Sequence, residues 1–160
     1  MSGAGSPTAA LGETIDGSGL RIVIVAGQWH EVITDGLIAG AERVLTASGA
    51  DYEIVRVPGS FELPVVCKAA LESGADAVVA LGVIIRGGTP HFEYVSAAAT
   101  DGLTRVALDT GKPVGFGVLT LDDEDQGIAR AGLPGSIEDK GHEAADAAIR
   151  TAVVLRELRG

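Results

Sequence analysis

From residue 21 onward the apolar positions follow two alternating rhythms. Residues 21–26 (RIVIVA) form a short apolar run dense in β-branched side chains, which predicts a buried strand. Residues 31–48 then place Leu37, Ala41, Val44 and Leu45 near helical spacing and stop at Gly49, which predicts a helix. The same pairing recurs. A strand is predicted over 52–57, a turn at Pro58 and Gly59, and a helix over 61–73, whose Pro64 is tolerable only in a first turn. Residues 77–85 (AVVALGVII) are apolar at both alternating sets of positions, the signature of a parallel strand covered on two faces and placed centrally in a sheet. Residues 91–108 carry Phe92, Val95, Ala99, Leu103 and Val106 at helical steps, ahead of a stop at Gly111. A fourth strand is predicted over 113–121, a short acid-capped helix over 122–131, a loop over 132–139 and a long helix over 140–158 with Ala145, Ala148, Ala152 and Leu155 on one face. Residues 1–19 are rich in Gly, Ser, Thr and Ala and show neither rhythm, so they read as a mobile arm or edge segment ahead of one α/β domain over 20–160.

Alternating strands and helices predict a four-stranded parallel sheet sandwiched between helices, a three-layer α/β fold. Ligands in such folds sit beyond the carboxyl ends of the strands. That rule singles out residues 27–30, 58–62, 86–91 and the end of the fourth strand as the functional edge.

Composition narrows the partners. With 12 basic against 22 acidic residues the chain carries a net charge of -10, a field that repels polyanions, so nucleic acid is excluded as the expected partner. Cys67 is the single cysteine and cannot form an internal disulfide; with no basic-then-apolar leader this predicts a reducing, cytoplasmic setting. No apolar run approaches the roughly 20 residues of a membrane helix, and none of the three histidines has a metal-ligand partner at useful spacing, so neither membrane nor metal is expected. Only six aromatics are present in 160 residues, so aliphatic groups must build the core.

The candidate chemistry lies on the functional edge. Gly82-Val-Ile-Ile-Arg-Gly87-Gly88-Thr89 approaches the nucleotide-binding P-loop pattern, but Gly88 stands where its lysine must be, and Gly27-Gln-Trp-His lacks dinucleotide-type glycine spacing. A simpler reading survives. Gly87, Gly88 and Thr89 link a strand to a helix and could hold a single phosphate with backbone amides and a hydroxyl, or could merely form a tight turn. His91 beside them is the first candidate for proton transfer, with His30 and His142 as rivals. Trp29 and Phe61 follow two strand ends, where a large apolar face either stacks on a flat ring or packs normally. Glu62 is a favourable first-turn acid or a ligand contact. Arg130 and Lys140 could concentrate an anionic substrate in so acidic a chain; the acids over 122–125 read as capping and solubility, and Cys67 as a small buried apolar group.

Taken together, ALGVIIRGGTPHFEYV (80–95), GSFELPVV (59–66), GVLTLDDEDQ (117–126), ARAG (129–132) and DKG (139–141) resemble the 6,7-dimethyl-8-ribityllumazine synthase family of riboflavin biosynthesis over about residues 21–158. The resemblance implies a flavodoxin-like fold. It also implies condensation of 5-amino-6-(D-ribitylamino)uracil with 3,4-dihydroxy-2-butanone 4-phosphate, giving the lumazine, phosphate and water with no metal or cofactor. By the same resemblance Trp29 stacks on the pyrimidine, while Ser60, Phe61 and Glu62 contact the ribityl chain. Val83, Ile84 and Ile85 lie beside the pyrimidine, Gly88 and Thr89 hold phosphate, and His91 transfers protons. Phe116 matches a site-lining position, Arg130 the arginine that binds the butanone phosphate, and Lys140 a lysine near the same site. Gly88 and Pro90 occupy positions that vary in relatives.

Homopentamers with sites between neighbouring subunits are implied too, with the N-terminal arm adding to the next subunit's sheet and shells of roughly 60 subunits in some relatives. The loop at 131–139 looks like the longer connection associated with free pentamers. Three rivals share the fold: a riboflavin synthase that dismutates two lumazines, a non-catalytic flavin- or lumazine-binding or shell protein, and a flavodoxin-like α/β module with a protein partner, against which the Arg130 and His91 pieces count.

Overall fold

The computed structural model describes residues 14–160. Strand β1 (Arg21–Gly27) leads to α1 (Glu31–Ser48), β2 (Asp51–Val57) to α2 (Leu63–Glu72), β3 (Ala77–Ile85) to α3 (His91–Thr110), and β4 (Val114–Leu121) to the short α4 (Glu124–Ile128) and the terminal α5 (Lys140–Leu158). Among the described residues the sheet has four parallel strands in the order β2-β1-β3-β4. The central pair β1 and β3 is locked by the register Ile22 to Ala77 through Ala26 to Leu81.

Alternation along these strands divides the core. Ile22, Ile24, Ala26, Val79 and Leu81 face α1 and α5, together with Leu37, Leu45 and Ile149. Val23, Val25, Val78 and Ala80 face α2 and α3, together with Leu63, Leu71 and Leu103. Each fully buried side chain of this kind removes apolar area worth about 1.5–3 kcal/mol from water, which is why a strand apolar at every position is stable only when covered twice. Cys67 lies in the second cluster, and burial pushes its thiol up to about 12, consistent with a packing group and no nucleophile.

Three boundaries differ from the sequence reading. The helix expected from residue 61 begins as a 3-10 turn over Ser60–Glu62, and α2 proper starts at Leu63 with Pro64 in its first turn, where no amide is required. The helix expected over 122–131 shrinks to Glu124–Ile128: Asp123 caps it by accepting from the Gln126 amide at 3.0 Å, and Ala131 turns into an antiparallel bridge with Asp139. Helix α3 runs on to Thr110 before Gly111 ends it in the left-handed conformation, φ 67°. Of the segment read as an arm, residues 1–13 lie outside the described residues. Ile15 packs against the α1/α5 core, and the Gly17 amide donates to the Ser48 carbonyl at 2.8 Å.

Helices α1 and α5 pack so closely that Gly141 lies directly on the Leu37 carbonyl of α1, where a Cβ would collide with main chain. Alanine ordinarily gains about 1 kcal/mol over glycine in a helix interior. Overpacking against an immovable backbone costs about 1–3 kcal/mol or more, so the clash wins. Gly141→Ala is therefore expected to lower Tm by several degrees at fixed protein concentration, whereas Gly88→Ala, where a Cβ meets nothing within 4 Å, leaves Tm unchanged; calorimetry of the two variants checks the contrast.

Candidate active site

The chain reverses its direction of winding between β1 and β3, and a cleft of about 730 Å³ opens at their carboxyl ends. Four segments line it: Trp29 and His30 after β1, Gly59 to Glu62 after β2, Val83 to Ile85 at the end of β3, and His91, Tyr94 and Val95 in the first turns of α3. Nine of the residues singled out by sequence thus converge on one cavity: Trp29, His30, Ser60, Phe61, Glu62, Val83, Ile84, Ile85 and His91.

Local packing explains how each is held. Ser60 is buried because Gly82 of β3 leaves room for its hydroxyl; a Cβ at Gly82 would collide with it. Gly59 lies under the indole of Trp29, with a Cβ at that position only 3.3 Å from the ring and 3.5 Å from the Glu62 carboxylate. These contacts gather an aromatic face, a hydroxyl and an acid at the mouth of β2. Trp29 is 68% exposed, Phe61 63% and Tyr94 73%, although the chain has only six aromatics to place. Indole and phenyl faces left in solvent around one cavity suit a flat ring as ligand.

His30 begins α1 with φ 56° and ψ 63°, the one non-glycine in the left-handed region among the described residues. Such a conformation costs on the order of 1–3 kcal/mol and persists only when neighbours enforce it. Thr34 does so, its hydroxyl donating to the Trp29 carbonyl at 2.8 Å and its amide to the His30 carbonyl at 3.0 Å. His142, the other rival histidine, sits in the first turn of α5, its amide capped by Asp139, and is not on the cleft.

Between β3 and α3 lies the loop of Gly87, Gly88 and Thr89. Neither glycine has a positive φ, and a Cβ at either would meet nothing within 4 Å, so a tight turn does not require them. The amides of all three residues donate to no protein acceptor among the described residues, while the Thr89 hydroxyl accepts from the His91 amide at 3.5 Å. Open amides just ahead of a 20-residue helix are groups able to receive an anion. Arg86, at the head of the loop, donates to Asp122 at 3.0 Å and Glu93 at 2.5 Å, and its guanidinium carbon stands 4.4 Å from the centre of the Phe92 ring. The Asp122 and Glu93 carboxylates raise the arginine's pKa, and Arg86 in turn lowers that of Glu93.

Gly88 and Thr89 do not line this cleft, although His91 two residues on does, and neither do Phe116, Arg130 and Lys140. Phe116 projects from β4, half-exposed, opposite Ala80 in register. Arg130 follows α4, donates to the Gln126 carbonyl at 2.9 Å and has no carboxylate partner among the described residues. Lys140 is held by Glu138 at 3.0 Å and Glu143 at 3.3 Å; burial alone would lower its pKa, but the two carboxylates raise it overall. Tyr94 and Val95 were missed by the sequence reading. Tyr94 was within reach, since it stands three residues after His91 on the same helix face. The approach of Gly59 to the indole depends on tertiary packing alone.

Among the described residues no His, Cys, Asp and Glu side chains gather as a metal site, and no helix is long and apolar enough to cross a membrane. Comparison with known proteins supplies the remaining observation. Residues 19–156 match the family model described as 6,7-dimethyl-8-ribityllumazine synthase. Proteins of that name are similar to this chain in Leifsonia xyli subsp. xyli, 80% identical over the whole of both chains, and in Clavibacter michiganensis subsp. michiganensis, 67% identical over 100% of this chain and 99% of the other. A third, from Streptomyces avermitilis, is 55% identical over 99% of this chain and 97% of its own. With the family model spanning the whole α/β domain and identity this high from end to end, the chain belongs to the 6,7-dimethyl-8-ribityllumazine synthase family.

Proposed function

We propose that this protein condenses 5-amino-6-(D-ribitylamino)uracil with 3,4-dihydroxy-2-butanone 4-phosphate to form 6,7-dimethyl-8-ribityllumazine, in the cytoplasm. The observation that carries the reading is the convergence of an aromatic-lined cleft, His91 and an open-amide loop at one helix start, in a chain 80% identical to a protein named for that product.

The chemistry divides among the groups present. Trp29 stacks on the pyrimidine, with Val83, Ile84 and Ile85 along its edge, while Ser60, Phe61 and Glu62 take the ribityl chain. Gly88 and Thr89 hold the phosphate. The pyrimidine amine attacks the ketone, and loss of water forms an imine. Elimination then breaks the carbon–oxygen bond to phosphate, and the second amine closes the ring with loss of a further water. Each stage moves protons without an activated nucleophile, so one imidazole beside two aligned substrates is sufficient equipment. His91, on the cleft beside the loop, is the group we assign to that transfer.

Assembly completes the site in this reading. Phe116 and Arg130 are exposed or half-buried away from their own chain's cleft, and the guanidinium has no carboxylate to neutralise it, as expected of side chains that serve a neighbour's cleft. A cyclic homopentamer would bring them there. Lys140, already paired with Glu138 and Glu143, is the weakest of the assigned ligands.

His91→Ala is expected to remain folded and to slow lumazine formation roughly 10-fold to 1,000-fold in a fluorescence assay with both substrates, the loss of one acid-base group beside intact positioning. Unchanged turnover would sink the assignment, and a wild type no faster than the uncatalysed background would leave a binding or shell protein. Arg130→Ala should raise KM for the phosphorylated substrate by at least about 10-fold, with a smaller change in kcat; saturation as in the wild type would refute that role. Light scattering should give a particle of roughly 81 kDa, five chains of 16.2 kDa, whereas a shell of about 60 chains would approach 1 MDa and a monomer would contradict the shared site.

A further inference from the structure

Apart from the Thr89 hydroxyl, which accepts from the His91 amide at 3.5 Å, the proposed phosphate loop has nothing inside it to hold it in place. Gly87 and Gly88 carry no side chain, their amides and that of Thr89 find no protein acceptor, and a Cβ at either glycine would touch nothing within 4 Å. Glycine-rich backbone of this kind has the most freedom to lose when it closes on a ligand. Its order must come from its two ends, and both ends are tied to one side chain. The Arg86 amide donates to the Leu121 carbonyl at 2.8 Å, extending the β3–β4 ladder one step into the loop. Its guanidinium then divides. Nε donates to Asp122, immediately after β4, at 3.0 Å, and a terminal nitrogen donates to Glu93, in the first turn of α3, at 2.5 Å. Phe92 of the same turn lies under the guanidinium, 4.4 Å from ring centre to carbon.

A planar fork that makes two carboxylate contacts and lies over a ring cannot be replaced by the point charge of lysine. Arg86 also changes the local charge. Glu93 and Asp122 would place two negative charges beside a loop meant to receive a phosphate; the guanidinium between them leaves a net of one. Exposed ion pairs add little to stability singly, and Arg86 is about half exposed, so strengthening the fold is a poor account of this arrangement. Each partner lies instead on an element that borders the loop.

We infer that Arg86 is a positioning residue for phosphate: it binds no substrate itself, but braces residues 87–90 between β4 and α3 and screens Glu93 and Asp122 from the phosphorylated substrate. The inference rests on the proposed condensation.

The test is steady-state kinetics of the assembled protein, varying one substrate at a time, with inorganic phosphate as a competing probe, for wild type, Arg86→Gln and Arg86→Lys. Arg86→Gln is expected to raise both KM for the phosphorylated substrate and the inhibition constant of inorganic phosphate by roughly 10-fold, with KM for the pyrimidine changed less than about twofold. Arg86→Lys, which keeps the charge and loses the fork, should weaken both phosphate constants about threefold and so rescue part of the loss. Phosphate constants equal to wild type in both variants would overturn the inference, as would equal losses for the two substrates, the mark of a merely structural brace. Should Arg86→Gln fail to assemble, the phosphate constant of Arg86→Lys decides alone, a wild-type value overturning the role. A wild type without turnover sinks the condensation reading instead, and inorganic phosphate binding then still reports on Arg86.

Discussion

Everything in the site hangs from the burial of β1 and β3 on both faces. Their side chains enter two separate aliphatic clusters, one beneath α1 and α5 and one beneath α2 and α3, and each strand is paired on both edges. A strand held by neighbours on four sides cannot slip, because a shift of one residue would exchange the contents of the two clusters. The points where β1 and β3 end are therefore fixed, and Trp29, Ile85 and the phosphate loop start from those points. Rigidity there lets the loops carry exposed aromatics, a strained histidine and unpaired amides without unravelling.

The distribution of aromatic side chains follows from the same arrangement. Small aliphatic groups, and glycines where backbone or a buried hydroxyl comes close, fill the interior; Gly82 against Ser60 and Gly141 against Leu37 are examples. Of the six aromatic residues only Tyr52 and Phe92 pack against the core clusters, and both are only partly buried, while Trp29, Phe61, Tyr94 and Phe116 are all left exposed. In a chain of net charge -10, phosphate recognition cannot depend on a broad positive surface. In the proposed reading, backbone amides ahead of α3 and a few placed guanidiniums would supply it locally, and the acids close by must be neutralised for this to work. Arg86 stands between two of them.

The order of elements, the two-sided burial of β3, the bounds of α1 and α5 and the aliphatic core were legible in the chain because each rests on periodicity over many residues. The bounds of α2 and α4 were not, because they turn on single events: the missing amide of Pro64 and the Asp123 cap. Of the site, the strand-end rule and the motif at 80–95 located His91, Trp29, Phe61 and Glu62. The left-handed backbone of His30 escaped notice, since nothing in a histidine codes for that conformation. The freedom of Gly87 and Gly88 from any turn requirement likewise appeared only when the space around them was known.

Local sequence by itself determined the kind of object this is: an acidic α/β sandwich with a glycine-rich loop and a histidine at the start of one helix, because periodicity, turn residues and short motifs act over a few neighbours. Tertiary structure decided which of the candidates meet. It brought nine of them, His30 included, to one cleft, put Gly88 and Thr89 just ahead of its His91, and left Phe116, Arg130 and Lys140 off it, since distances across a sheet depend on strand order and register, which no local pattern encodes.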